Sequence, residues 1–330
     1  MIPDDAEGFF GSSTAWHGRT LAPRPVFIRN AEHVHQVVQG TGLGEVGIGP
    51  QTISLSHVLF QICSLDTAAV QAAIDACHQD QGGTVLVPAG VFVIGTIEMK
   101  SNIKLHLAAQ GKLLGSADGN QYHAAEAIPL HGDSTLEDGN VGLNVGLIFG
   151  VGLQNVVIEG PGTIDGQGAQ FRSPARGAPP PAGIGGSHRP YHLLFHQCQN
   201  LTVRDIFLTE SAFHSVRIIQ SKYVKLEGIH IHNRVNHNND GFHFISSQYV
   251  HVSNCDVECQ DDACALFGSC KFVTVTNCSF TTRWSVFRFG GGEAENITVS
   301  NCLIYGTYGC PIKMRCGPAH GSRTFPSRIW

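Results

Sequence analysis

Six stretches of the 330-residue chain repeat one pattern: LQNVVIEGPG (153–162), CQNLTVRDIF (198–207), SKYVKLEGIH (221–230), SQYVHVSNCD (247–256), CKFVTVTNCS (270–279) and AENITVSNCL (294–303). They align on Asn155, Asn200, Tyr223, Tyr249, Phe272 and Asn296, at steps of 45, 23, 26, 23 and 24 residues, the first close to two repeats. Each alternates apolar and polar residues, the period of a strand. A second ladder lies between them: HSVRIIQ (214–220), GFHFISS (241–247), ACALFGS (263–269), VFRFGGG (286–292) and CPIKMRC (310–316). Each repeat therefore holds at least two short strands separated by turns, with no helical period between. Such units bury an apolar face only by stacking, which predicts an all-β parallel β-helix with like positions about 4.8 Å apart on successive coils.

Composition agrees. Only 14% of residues are charged and 39 are Gly, which suits a turn-rich β protein. The net charge of −5 gives no reason to expect nucleic acid as a partner. No apolar run reaches the roughly 18–20 residues of a membrane span. The opening MIPDDAEGFFGSSTAW has neither a basic start nor an apolar core, so no signal peptide is visible. That leaves a cytoplasmic chain, or a secreted one whose signal is missing from it. The 11 Cys are odd in number and form no CxxC. Cys255, Cys278 and Cys302 share one position with Ile206 and Ile229, so they read as a stacked buried hydrophobe rather than as disulfide or metal ligands. Asn254, Asn277 and Asn301 precede them and read as an amide ladder at a turn.

One helix is expected. Val70, Ala73, Ile74 and Cys77 follow helical spacing in DTAAVQAAIDAC, with Asp66 as N-cap and Gly82–Gly83 as the stop. It would cap the N-terminal end of the solenoid. Residues 1–60 show no period and form a segment of unclear structure; residues 61–330 read as one β-helix domain. The Pro-rich RSPARGAPPPAGIGGS (172–187) interrupts the stack and reads as a loop overhanging a binding face. GLGEVG (42–47) lacks the following helix that nucleotide binding needs. HVH (33–35) and HIH (230–232) read as exposed polar faces of strands before metal pairs. Asn200, Asn277 and Asn296 fit N-x-[ST] but lie inside the packed repeat.

The second ladder holds the chemistry. Arg217, His243, Ala265, Arg288 and Lys313 occupy equivalent outward positions, a largely basic row. Three residues earlier, Asp240 and Asp262 are equivalent, with Asp261 beside them. Strict alternation would drive both carboxylates into the core at a cost of several kcal/mol each. The strands must therefore begin after them, with a turn that points them outward; Gly241 allows it in one coil. Carboxylates so grouped raise one another's pKa, so that one holds its proton nearer neutral pH. A proton donor beside ionised groups that hold a water is the equipment of glycoside hydrolysis. A Ca²⁺ site or a solvated acidic turn would use the same residues. Arg288 and Lys313, adjacent like charges, call for an anion between them, unless Glu293 or Glu295 pairs with Arg288.

NND followed by GFHF, then QDDACAL some 20 residues on, resembles the Asn-x-Asp and Gly-Asp-Asp signatures of glycoside hydrolase family 28, the polygalacturonases. GPGTIDGQG, DTAAVQAAIDAC, GGTVLVPAGVF and RPYHLLFHQCQNLTV resemble its N-terminal half, so the likeness spans about residues 64–316. The resemblance implies a single-stranded right-handed parallel β-helix that hydrolyses a pectin-like, uronate-containing glycan with inversion and no metal or other cofactor. It implies Asp261 as general acid, Asp240 and Asp262 as the groups that activate water, and Asn238 in the subsite. His243, Arg288 and Lys313 complete the expected substrate-binding set. The chain departs from the pattern in three places. No His stands near RWSVFRFGGG, where the family has Gly-His-Gly. Pro311 replaces the Arg of Arg-Ile-Lys while Lys313 is kept, and Gln260 replaces a Gly. The chain also stops soon after this motif, which reads as a truncation or an unusual cap. A polysaccharide lyase on the same architecture and a non-catalytic glycan-binding β-helix are the rival readings.

Overall fold

The computed structural model of the chain describes residues 26–27, 65–123, 145–171 and 189–315. Among these, the strands form three sheets of nine, eight and eight members, and every pairing is parallel. The chain runs from sheet to sheet and returns to the first one coil further along. The result is a three-sided parallel β-helix.

One coil shows how the sequence builds it. Gln248–Ser253 lies in the first sheet, Asp256–Cys259 in the second and Cys264–Phe267 in the third. Val203, Leu226, Val252 and Val275 stack inward along the first sheet and are fully buried. Each such side chain contributes about 1.5–3 kcal/mol relative to exposure. The second sheet is the one the repeat pattern did not separate. Two residues join it to the first, the leading one in left-handed backbone conformation: Asp205, Gly228, Asn254, Asn277 and Asn301 all have φ between 50° and 61°. The asparagines read as a turn in the sequence mark this bend, but it is too short to separate the two strands in the apolar–polar pattern.

The aligned positions of the repeat share the same backbone strain. Asn155, Asn200, Tyr223, Tyr249, Phe272 and Asn296 all have φ of 55–59°. Asn tolerates this region, and the Asn200 amide donates to Asn155 Oδ1 at 3.0 Å. Aromatic residues do not favour it. Their rings stack at 5.1 and 4.8 Å along the solenoid, worth about 0.5–1.5 kcal/mol per pair, which offsets much of the strain.

The 45-residue step is one coil, not two: Gln154–Glu159 pairs directly with Gln199–Arg204. Its extra length falls between Phe171 and Arg189, which includes the Pro-rich stretch and lies outside the described residues. Cys255 and Cys278 are buried and stacked as expected, with Cys255 N–H directed at Cys278 Sγ at 3.5 Å. Cys302 follows in register at the edge of the core. All three are free thiols. One rung of the expected asparagine ladder is present among the described residues, with Asn301 Nδ2 donating to Asn277 Oδ1 at 2.6 Å, and Asn254 does not extend it.

The helix spans Thr67–Gln79 and buries Val70, Ala73, Ile74 and Cys77 against the first coils. Asp66 occupies the N-cap position but does not cap the helix. Its carboxylate accepts from the Val93 N–H at 2.9 Å, tying the helix to the strand Gly90–Ile94. Of residues 1–60, only Val26–Phe27 is described, a strand paired with Val85–Leu86. The GLGEVG and HVH motifs lie outside the described residues. No described helix is long and apolar enough to cross a membrane.

Candidate active site

The site lies on the outer side of the third sheet, on the turns that lead into it. Register places Arg217, His243, Ala265, Arg288 and Lys313 in one row, as the sequence pattern requires. The strands Phe242–Ile245 and Cys264–Phe267 begin just after Asp240 and Asp262. Both carboxylates turn toward the outer row: Asp240 Oδ2 meets His243 Nδ1 at 2.8 Å, and Asp262 Oδ2 meets Arg288 Nη1 at 3.3 Å. Gly241 serves this turn through space rather than through φ. A Cβ there would stand 2.5 Å from the Ala263 carbonyl oxygen and 2.7 Å from Val257 Cγ1.

The turn 234–241 is held by buried asparagines. Asn239 Nδ2 donates to the carbonyls of Ser211 and Phe213, and its own carbonyl accepts from the N–H groups of Gln260 and Asp261. Asn236 Nδ2 donates to Gly168 O, and Asn233 Nδ2 to Ser215 Oγ. These bonds link the carboxylate turns of two coils. Asn238 sits in the left-handed region at φ 55°. Its amide is oriented by Arg189, whose Nη2 donates to Asn238 Oδ1 at 3.1 Å; Asn238 Nδ2 then faces Asp261 Oδ2 at 3.4 Å. Arg189 is itself pinned by the His237 and Ala212 carbonyls and by the Phe213 ring.

The three carboxylates differ in exposure. Asp240 and Asp262 are 4% and 3% exposed, whereas Asp261 is half-buried at the open side. Asp261 Oδ1 accepts from the Asp262 N–H at 3.0 Å. Burial, and then the neighbouring Asp261 charge, raise the Asp262 carboxyl to about 6. Arg288 and the polar groups of nearby Ser285 oppose that rise. Ser285 stands in the RWSVFRFGGG stretch that lacks the family's His. Lys313 is half-buried with its ammonium 4.6 Å from the Trp284 ring centre, and Trp284 is 47% exposed. Arg288 does not pair with Glu293 or Glu295: Glu295 bonds Lys271, and Asp262 is the carboxylate Arg288 meets. His243 is 2% exposed and lies beneath the surface, against Asp240.

The donor atoms of His214, Asp240 and His243 lie within 4.8 Å of one another, close enough for a metal ion. The geometry does not suit one. The two imidazoles are stacked, 4.5 Å between centres at 15°, so an ion in the plane of one ring stands out of the plane of the other. Arg217 Nη1 also lies 3.3 Å from His214 Nδ1, placing a positive charge where a cation would need negative ones. The HIH pair is an exposed face: His230 and His232 each meet an acidic partner on the next coil, Asp256 and Glu258.

Arg189, His214, Ser285 and the asparagines Asn233, Asn236 and Asn239 were not legible in the repeat. The one local signal was the Asn-rich NRVNHNND, whose turn chemistry fits buried amides bonding to backbone.

The chain is 29% identical over 208 residues to a "Probable polygalacturonase" of Vitis vinifera, covering 62% of this chain and 41% of that protein. It is 27% identical over 236 residues to an "Exo-poly-alpha-D-galacturonosidase" of Dickeya chrysanthemi, covering 61% and 39%. The chain thus spans about two fifths of the length of these relatives. The crystal structure of a hyperthermoactive exopolygalacturonase from Thermotoga maritima superposes with a TM-score of 0.63 at 20% identity, over 75% of this chain and 65% of that one, a likeness of fold. The profile of the glycosyl hydrolases family 28 matches residues 77–321, three quarters of the sequence and the whole of the carboxylate site, and the chain belongs to that family.

Proposed function

We propose that this chain hydrolyses a pectin-like, uronate-containing polysaccharide or oligosaccharide by inverting acid/base catalysis. The observation that carries the reading is the grouping of the carboxylates: Asp261, half-buried at the open side, accepts from the Asp262 N–H, while the Asp262 and Asp240 side chains are enclosed beside it. Burial of Asp262 and the like charge of Asp261 beside it disfavour ionising both, so a proton is retained between them to about pH 6. Asp261 is the member a glycosidic oxygen reaches, so it delivers that proton to the leaving group. Asp240 and Asp262 then hold the attacking water on the opposite face of the sugar and take its proton as the new C–O bond forms. Arg288 balances the negative charge that Asp262 gains. Asn238, fixed by Arg189, orients Asp261. Lys313 supplies an ammonium for the substrate carboxylate, with Trp284 as an apolar surface beside it.

The test is a panel of pectic polysaccharides and oligosaccharides. Release of reducing ends with an inverted anomeric configuration, followed by proton NMR, supports the reading. An unsaturated product absorbing in the ultraviolet would make the protein a lyase. Oligosaccharide binding without any product would make it a binding protein.

A further inference from the structure

Asp240 is flanked by two imidazoles that the reaction scheme above does not use, one in hydrogen-bond contact and one just beyond it. His243 Nδ1 lies 2.8 Å from Asp240 Oδ2, and His214 Nε2 lies 3.7 Å from the same oxygen. The rings come from adjacent coils and stack face to face. Phe213 stacks on the far side of His214 at 4.2 Å, and Phe267 packs on His243 at 4.7 Å. Neither ring is free to turn.

The hydrogen bonds assign the protons. Arginine has no acceptor, so Arg217 Nη1 donates to His214 Nδ1 at 3.3 Å, leaving the His214 proton on Nε2, toward Asp240. An ionised carboxylate only accepts, so His243 carries its proton on Nδ1. His243 Nε2 is buried with no partner among the described residues. A bare lone pair there costs less than an unpaired N–H on a buried cation. We propose that His214 and His243, both neutral, act as a clamp on the Asp240 carboxylate, His243 through a direct N–H hydrogen bond and His214 through the dipole of an N–H turned toward the same oxygen, and that the clamp positions the carboxylate and keeps it ionised for water activation. Burial first, then for His214 the His243 ring beside it, and then nearby guanidinium groups hold both imidazoles well below the usual histidine range, in line with a neutral clamp. The charged and titratable groups around it are Arg217 and Tyr191 on the His214 side, Arg189, Cys259 beneath Asp240, Asp261 and Asp262 from the next coil, and Arg288 beyond them.

This rests on the reading of Asp240 as a water-activating group, so the test has one arm that needs no activity. Long-range ¹⁵N–¹H NMR of the histidine rings, assigned with His214→Gln and His243→Asn, should show His214 protonated on Nε2 and His243 on Nδ1. Both should stay neutral from pH 8 to pH 5. A doubly protonated ring in that range, or a bare His243 Nδ1, overturns the clamp whether or not the protein is a hydrolase. In the second arm, His243→Leu should lower kcat by about tenfold or more with KM within about twofold, the scale on which orienting partners act. It should also move the acidic limb of the pH profile upward, because Asp240 loses a donor. His243→Asn restores a donor at the Nδ1 position and should recover much of kcat and the original limb. Unchanged kcat in His243→Leu, or equal loss in both variants, overturns the proposal. If the unmodified protein releases no product from any glycan, the hydrolase reading fails, and the tautomers alone decide whether the clamp exists.

Discussion

Arg288 was expected to meet substrate, but the structure gives it a second task that can be measured without one. Its Nη1 lies 3.3 Å from Asp262 Oδ2, and Asp262 is 3% exposed. Arg288→Met removes the charge while an unbranched, polarisable side chain continues to cover Phe267. An opposite charge this close lowers a carboxyl by about one to three pH units, so its loss should lift Asp262 from about 6 to between about 7 and 9. Asp262 already titrates above its unfolded value. Its ionisation in the folded state therefore costs stability, with no cost below about pH 4 and the full cost above about pH 6. The substitution extends that cost to higher pH. At 1.36 kcal/mol per unit, the variant should be less stable than the parent by about 1.4–2.7 kcal/mol more at pH 8 than at pH 5. The upper figure is set by the assay pH, since a carboxyl titrating above 8 is simply neutral there. Urea unfolding of both proteins at the two pH values reads the difference directly. A loss of stability equal at pH 5 and pH 8 would refute the argument, because it would mean that Arg288 supports the fold by packing and not by its charge on Asp262.

Asp261→Asn should reduce kcat about 10²–10⁴-fold in a reducing-end assay while the urea midpoint holds or rises, because one of three clustered carboxylates is gone. The kcat/KM profile should fall above about pH 6 as the shared proton is lost, and normal turnover well into the alkaline range would count against Asp262. Lys313→Ala should weaken an acidic oligosaccharide by about 1.5–3 kcal/mol, with weaker salt dependence, and leave a neutral galactan fragment little changed, as titration calorimetry can show. Gly241→Ala should cost about 1–3 kcal/mol in urea unfolding, because its Cβ has no room against Ala263 and Val257; unchanged stability would show that the turn yields.

The repeat determined the fold by itself. Residues 23–26 apart with strand alternation have one economical way to bury their apolar face, and the outward row from Arg217 to Lys313 followed from register alone. The three carboxylates were legible for the same reason: two occupy one position on successive coils, and charge at the mouth of an apolar strand is too costly to be incidental. What register does not contain is depth. Asp240, Asp261 and Asp262 look alike in sequence, and only the packed turns leave Asp261 half-buried while enclosing the other two. Nor does periodicity foresee partners from elsewhere in the chain. Arg189 reaches Asn238 across 49 residues, and the His214 ring reaches Asp240 from the coil before. Those contacts depend on how far each turn bulges and which rotamer neighbouring rings permit. Such quantities are set by three-dimensional packing, so the sheet was written in the repeat while the protons of the site were assigned only by the folded structure.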